Sequence, residues 1–179
     1  MAAYARRSLA GALGGPGWVG MTLVDAAALW ALGELGSEQL PNVAATALER
    51  GFDSAALRQL AGELDATAAT CEPLFRRALA ELSIPFPDRR AAQIGVALYH
   101  ARRIVDGTVS PYQGARAIWR GAAIDAQVDH SPNWDMLVPF VGLASEYEDD
   151  PDNREAYEKD IMEAARTLLR NSWGRLTTG

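Results

Sequence analysis

Apolar residues recur three or four positions apart along nearly the whole chain, which is the spacing of one face of an α-helix. The first such stripe contains Leu23, Ala27 and Trp30. The strongest stripe predicts a long helix over residues 88–106, ending in basic residues as the helix dipole prefers. No segment shows the two-residue alternation of a half-buried strand. The pattern therefore predicts an all-α fold.

Turn-forming residues separate this long helix from the next one in the stretch DGTVSPYQGARAIW, residues 106–119. Gly107 suits the left-handed position after a helix, and Pro111 suits the first helical position. Ser110 can accept a hydrogen bond from the amide of Gln113, whose side chain can reach back to the amide of Ser110. These residues predict a structural corner between two helices.

Similar signals place the other helices. Ser37 and Asp53 are expected to cap the second and third helices, and Pro139 is expected to bend a later one. Further helices are predicted over residues 37–50, 54–64, 70–83, 134–147 and 152–173. The sequence thus predicts a single globular domain of seven to eight helices, with short connections, around the central helix 88–106. It spans residues 21–179, and residues 1–20 are expected to form a flexible leader.

Composition agrees with a globular helical protein. The chain has 179 residues, of which 49% are apolar, and this length suffices for one well-buried core. Cys71 is the only cysteine, which excludes an internal disulfide and a multi-cysteine metal site. No run approaches the roughly 20 apolar residues of a membrane helix. We expect a cytoplasmic protein that does not associate with membranes.

Charge is unevenly distributed along the chain. The formal net charge is −6, and residues 146–160 carry eight acids against Arg154 and Lys159, so that this window alone accounts for −6. Residues 72–120 carry eight arginines against four acids. A nucleic-acid footprint usually needs a basic face on a basic domain. Because the chain is acidic overall, we expect no nucleic-acid binding.

The acidic stretch suggests a surface for a basic partner, because opposite charge accelerates protein association. Tyrosine beside charge is also a common interface composition. The leading hypothesis is a non-enzymatic protein-binding module, immunity-like or adaptor in role. The candidate partner-binding residues are Tyr147, Glu148, Asp149, Asp150, Asp152 and Tyr157. Association into a homodimer is a further possibility, since the apolar stripes can serve as core or as interface.

The two histidines support an alternative hypothesis, a small-ligand or metal-dependent enzyme with a pocket near His100 and His130. Histidine and aspartate can move a proton or bind a cation. The candidate pocket residues are Tyr99, His100, Asp129, His130, Trp134 and Asp135. The structural reading of residues 129–131 is a capped turn. No complete metal motif accompanies the acidic stretch, so we expect no metal and no cofactor.

The phrase ARRIVDGTVSPYQGARAIW, residues 101–119, resembles one that recurs in small helical bacterial proteins of unassigned activity. Some of these proteins are encoded as immunity partners of toxins. The resemblance covers a single helix-turn-helix corner and transfers no catalytic residue. It implies an interaction role.

Overall fold

The computed structural model describes residues 20–176, with side chains up to Ser172. Its α-helices are α1 (Leu23–Ala31), α2 (Leu40–Glu49), α3 (Ala55–Ala61), α4 (Ala68–Glu81), α5 (Arg89–Val105), α6 (Pro111–Ile118), α7 (Ile124–Val128), α8 (Trp134–Asp149) and α9 (Arg154–Leu176). Short 3-10 turns at Ser37–Gln39 and Pro151–Asn153 lead directly into α2 and α9. When each α-helix is counted together with the 3-10 or π turn that directly adjoins it, residues 20–176 contain eight continuous helical segments and no strand. The all-α prediction is confirmed.

A π-helical turn, Trp119–Ala123, joins α6 to α7 without interrupting the helix. A π turn holds one residue more than the α-helical turn it replaces. Gly121, Ala122 and Ala123 are buried in this turn. The wider turn was not predicted, because its sequence reads as ordinary helix.

The predicted boundaries of the central helix and of the corner after it are confirmed. Asp88 accepts a hydrogen bond from the amide of Ala91 at 2.8 Å. Gly107 has φ 76°, a left-handed conformation that costs glycine little. Ser110 accepts from the amide of Gln113 at 3.3 Å, so α6 begins as the sequence indicates.

Three other predicted helix starts are corrected. Ser54, not Asp53, caps α3, because its hydroxyl accepts from the amide of Leu57 at 3.2 Å. Ser37 lies inside a 3-10 turn instead of capping a helix. Thr67 caps α4, which therefore begins at Ala68 rather than at residue 70. At α3 and α4 neighbouring polar residues competed for one cap, and sequence spacing alone does not choose between them. Before α2 the cap position is taken by Gly36.

The contacts divide the described residues into two compact units, one from residues 20–26 and 36–85, the other from residues 27–35 and 86–176. The prediction of one domain over residues 21–179 stays a prediction. The predicted leader, except for residue 20, lies outside the described residues.

The first unit contains α2, α3 and α4. α3 contacts both α2 and α4. Glu81, in the last turn of α4, accepts a hydrogen bond from the amide of Ala56 at 2.9 Å and so holds the start of α3. The fully buried side chains of this unit include Leu40, Leu57, Leu60, Phe75 and Leu79. Cys71 is buried with them, and burial raises the pKa of its thiol.

The second unit contains α5 to α9. The central helix α5 contacts α6 and α9, while α8 contacts α6 and α9. Its fully buried side chains include Val96, Ile104, Ile118, Leu137, Phe140 and Ile161. Because α8 and α9 run antiparallel around a short corner, the acidic stretch lies at one end of this helix pair.

Within residues 20–176, none of the helices combines the length and apolarity that crossing a bilayer requires.

Candidate protein-binding surface

Residues 146–160, here called the acidic corner, connect α8 to α9. α8 ends at Asp149, and Asp150 leaves the helical conformation with φ −126° and ψ 85°. Pro151 then opens the 3-10 turn, where the amide that proline lacks would have no helical partner. The carboxylate of Asp150 accepts from Asn153 Nδ2 at 2.8 Å and from the hydroxyl of Tyr157 at 3.1 Å. The Asn153 hydrogen bond in particular lowers the pKa of Asp150.

Tyr147 is held by aromatic and cationic neighbours. Its ring stacks on that of Tyr112, with centroids 4.3 Å apart and planes 12° from parallel. The guanidinium of Arg154 lies 4.9 Å from the Tyr147 ring centre, and its Nε donates to the Tyr147 carbonyl at 3.2 Å. Both arrangements are favourable ring contacts. Tyr147 therefore keeps a fixed orientation while remaining partly exposed.

Glu148 is partly neutralised by α6. It accepts a hydrogen bond from the hydroxyl of Tyr112 at 2.5 Å, which raises the pKa of that tyrosine. Arg116 Nε lies 3.5 Å from the same carboxylate oxygen. The negative charge of Glu148 is thus partly neutralised by Arg116 within the second unit.

Other carboxylates of the acidic corner are not balanced in this way. Glu146, Asp149 and Asp152 are exposed, and none makes an ion pair with a described residue. The pKa of Tyr157 is raised by burial, by its hydrogen bond to Asp150 and by the negative charge of nearby acids including Glu146. The corner therefore presents uncompensated negative charge next to ordered tyrosines.

The structure separates the six predicted partner-binding residues into two groups. Tyr147, Glu148, Asp150 and Tyr157 contact other residues of the unit, whereas Asp149 and Asp152 face solvent. Sequence reasoning missed the partners Tyr112 and Arg116, because they lie 36 and 32 positions before Glu148 and no local pattern links them.

Arg89 pairs away from the acidic corner, at the other end of the second unit. Its side chain bonds Asp125, and its Nε lies 2.8 Å from Asp129. The fully buried Gln93 donates to Asp125 at 2.7 Å and accepts from Asn133 Nδ2 at 3.0 Å. These side chains form a polar network whose buried groups are paired, as a stable interior requires. The network fixes α7 and the start of α8 against α5.

The network also accounts for one of the predicted pocket residues, since Asp129 is turned toward Arg89. Two others, Tyr99 and His100, are buried neighbours on α5 whose ring centroids are 5.0 Å apart. Burial, and the charge of Arg103, lower the pKa of His100 to about 4. His100 is therefore neutral near pH 7.

His130 lies in a tight turn after α7. Its amide donates to the Gln127 carbonyl at 3.2 Å, and the amide of Ser131 donates to the Ala126 carbonyl at 2.8 Å. This pair of bonds is a Schellman motif, in which His130 occupies the left-handed position with φ 48°. The capped turn expected for residues 129–131 is present.

A shallow groove next to this turn brings together three of the predicted pocket residues: His130, Trp134 and Asp135. Tyr99 and His100 are not among the residues that line it. The described part of the chain holds no cluster of three or more histidine, cysteine, aspartate or glutamate residues that could bind a metal ion.

Comparison with protein-family models, with curated protein sequences and with solved structures finds no match for this chain.

Proposed function

We propose that this chain is a non-enzymatic protein-binding module, immunity-like or adaptor in role, that binds a partner with a basic surface through the acidic corner. The observation that carries this proposal is the exposed, uncompensated charge of Glu146, Asp149 and Asp152. Such charge steers a basic partner and raises the association rate at low salt.

The ordered tyrosines beside this charge support the same role. Aromatic residues are enriched at protein interfaces, and a side chain that is already fixed loses less entropy on binding. Tyr147 meets both conditions, because Tyr112 and Arg154 hold its ring before any partner arrives. The resemblance of residues 101–119 to small helical bacterial proteins, some of them immunity partners, agrees with this interpretation.

The test compares the wild-type chain with the triple variant E146Q/D149N/D152N in pull-downs from the native lysate, at low and high salt. We expect the wild type to retain a basic protein at low salt, and the variant to retain much less of it, because three steering charges are lost. Titration of the purified partner then measures the affinity of each chain.

The matched control is E34Q/E38Q/E49Q, which removes the same number of negative charges from exposed positions elsewhere. It should bind as the wild type does. Equal retention of the same proteins by the wild type and both variants would contradict the assignment of the surface, and retention of no protein at all would contradict the binding role.

The alternative function, a small-ligand or metal-dependent enzyme near His100 and His130, ranks second. The groove beside His130 favours this alternative. Tyr99 and His100 do not line that groove, which argues against a pocket shared by both histidines. It stays a prediction.

A further inference from the structure

A groove runs along the α8–α9 helix pair, where the first turns of α8 lie beside the middle of α9. Its volume is about 410 Å³, within the range of roughly 300–1,000 Å³ typical of binding clefts. The apolar lining includes Met136, Pro139, Ala164 and Leu168. Met136 and Ala164 are only half-buried, so the groove presents apolar surface to solvent.

Hydrogen-bond acceptors surround this apolar surface. Asp135 and Asp160 line the groove, are exposed, and make no ion pair with a described residue. Pro139 lacks the amide that would normally bond the Asp135 carbonyl in α8, which leaves a further acceptor there. Glu163 also lines the groove, but Arg170 pairs with it at 2.8 Å.

Apolar surface bordered by unpaired carboxylates fits one kind of occupant. We propose that the groove binds an amphipathic basic helix of a protein partner, with apolar side chains on Met136, Pro139 and Leu168 and lysine or arginine beside Asp135 and Asp160. A helix laid in a groove presents anchors three or four residues apart. A metal ion or a hydrophilic polycation would leave the apolar lining uncovered.

The inference rests on the proposed function, because Asp160 belongs to the acidic corner, and it specifies the partner's chemistry. The probe is a synthetic peptide of about 18 residues, five helical turns, with leucines on one helical face and lysines elsewhere. A scrambled peptide of the same composition has no apolar face. Fluorescence anisotropy measures the affinity of each peptide for the intact chain.

We expect the amphipathic peptide to bind about tenfold more tightly than the scrambled one, because only it can bury a continuous apolar face. Ala164→Phe fills the groove and should abolish that preference. The matched control Ala80→Phe places the same ring on an exposed position of α4 and should keep it. If Ala164→Phe does not fold, D135N/D160N serves instead and should weaken binding of the amphipathic peptide about tenfold or more.

Several results would overturn the inference. Equal binding of both peptides by the wild type would mean that charge alone attracts them, which contradicts the groove and leaves the proposed function intact. Binding of neither peptide, a preference that survives Ala164→Phe, or unchanged binding of the amphipathic peptide by D135N/D160N would also contradict it. Sedimentation that finds a wild-type dimer and an Ala164→Phe monomer would assign the groove to a second copy. The proposed function is judged separately by the pull-down with E146Q/D149N/D152N.

Discussion

Tyr147 contributes both to the fold and to the candidate surface. Its contacts with Tyr112 and Arg154 tie the end of α8 to α6 and to the start of α9. The sequence placed Tyr147 in an acidic stretch and so suggested its exposure, but not its ring contacts. The Tyr112 contact joins residues 35 positions apart in the chain, which only the fold brings together, and the Arg154 contact spans the turn between α8 and α9.

His100 makes the stability of the protein depend on pH. Its folded pKa of about 4 lies below the ordinary value of 6.5, so the unfolded chain binds the proton more readily. Its contribution to stability is complete above pH 6.5 and is lost as the pH falls toward 4. At pH 5 the expected loss is about 2 kcal/mol relative to pH 7. Chemical unfolding at both pH values measures it.

The substitution H100Q removes this titrating group and should reduce the loss of stability between pH 7 and pH 5. The control H130N removes an exposed histidine and leaves the same carboxylates to titrate. It should retain the wild-type dependence. A wild-type pH dependence in H100Q would show that other groups cause the acid sensitivity.

At the scale of helices, the residues that begin and end a helix could be predicted from the sequence, whereas features set by packing between helices could not. Gly107 and Ser110 were predicted correctly, because each acts on backbone groups within a few positions of itself. The π turn at Trp119–Ala123 was missed, because wider turns are selected by packing against other helices. The candidate site divides in the same way. Its charge and tyrosines were readable from sequence, whereas the neutralisation of Glu148 by α6 was not.

Close packing of α5 against α6 depends on Gly114. A Cβ atom at this position would lie 2.2 Å from Ile104 Cγ1, a buried side chain with little room to move. We expect Gly114→Ala to destabilise the protein by about 1–3 kcal/mol through overpacking. Urea unfolding monitored by circular dichroism measures the change.

Gly142 provides the contrasting case, because it is also helical but a Cβ atom there meets nothing within 4 Å. Gly142→Ala should stabilise the protein by roughly 0.5–1 kcal/mol, since alanine favours helix. If Gly114→Ala stabilises the protein as Gly142→Ala does, the close approach at Gly114 does not determine the packing of α5 and α6.

At the scale of the whole molecule, the net charge of −6 equals the charge of the acidic corner alone. Its acids repel one another in the folded state, although Arg116, Arg154 and Lys159 offset part of that repulsion. The same uncompensated charge that can attract a basic partner should therefore destabilise the unbound fold slightly. Salt weakens this repulsion.

Thermal unfolding at different salt concentrations tests this repulsion. The Tm of the wild type should rise by about 1–2 °C between low salt and roughly 0.15 M salt. E146Q/D149N/D152N should reduce this rise, whereas E34Q/E38Q/E49Q, which removes the same number of charges outside the acidic corner, should not. Identical salt dependence in the wild type and the triple variant would indicate that these carboxylates are too well solvated to repel one another.

The π turn at Trp119–Ala123 also limits how this chain can change in length. It amounts to a one-residue insertion accommodated within a helix, and deleting one residue there would restore ordinary α-helical winding. With Gly114 kept against Ile104, the deletion would carry Asp125 about 100° around the helix axis. The ion pair with Arg89 and the bond from Gln93 both depend on its present position. A homologue that lacks the extra residue would therefore need a different network to hold α7 against α5.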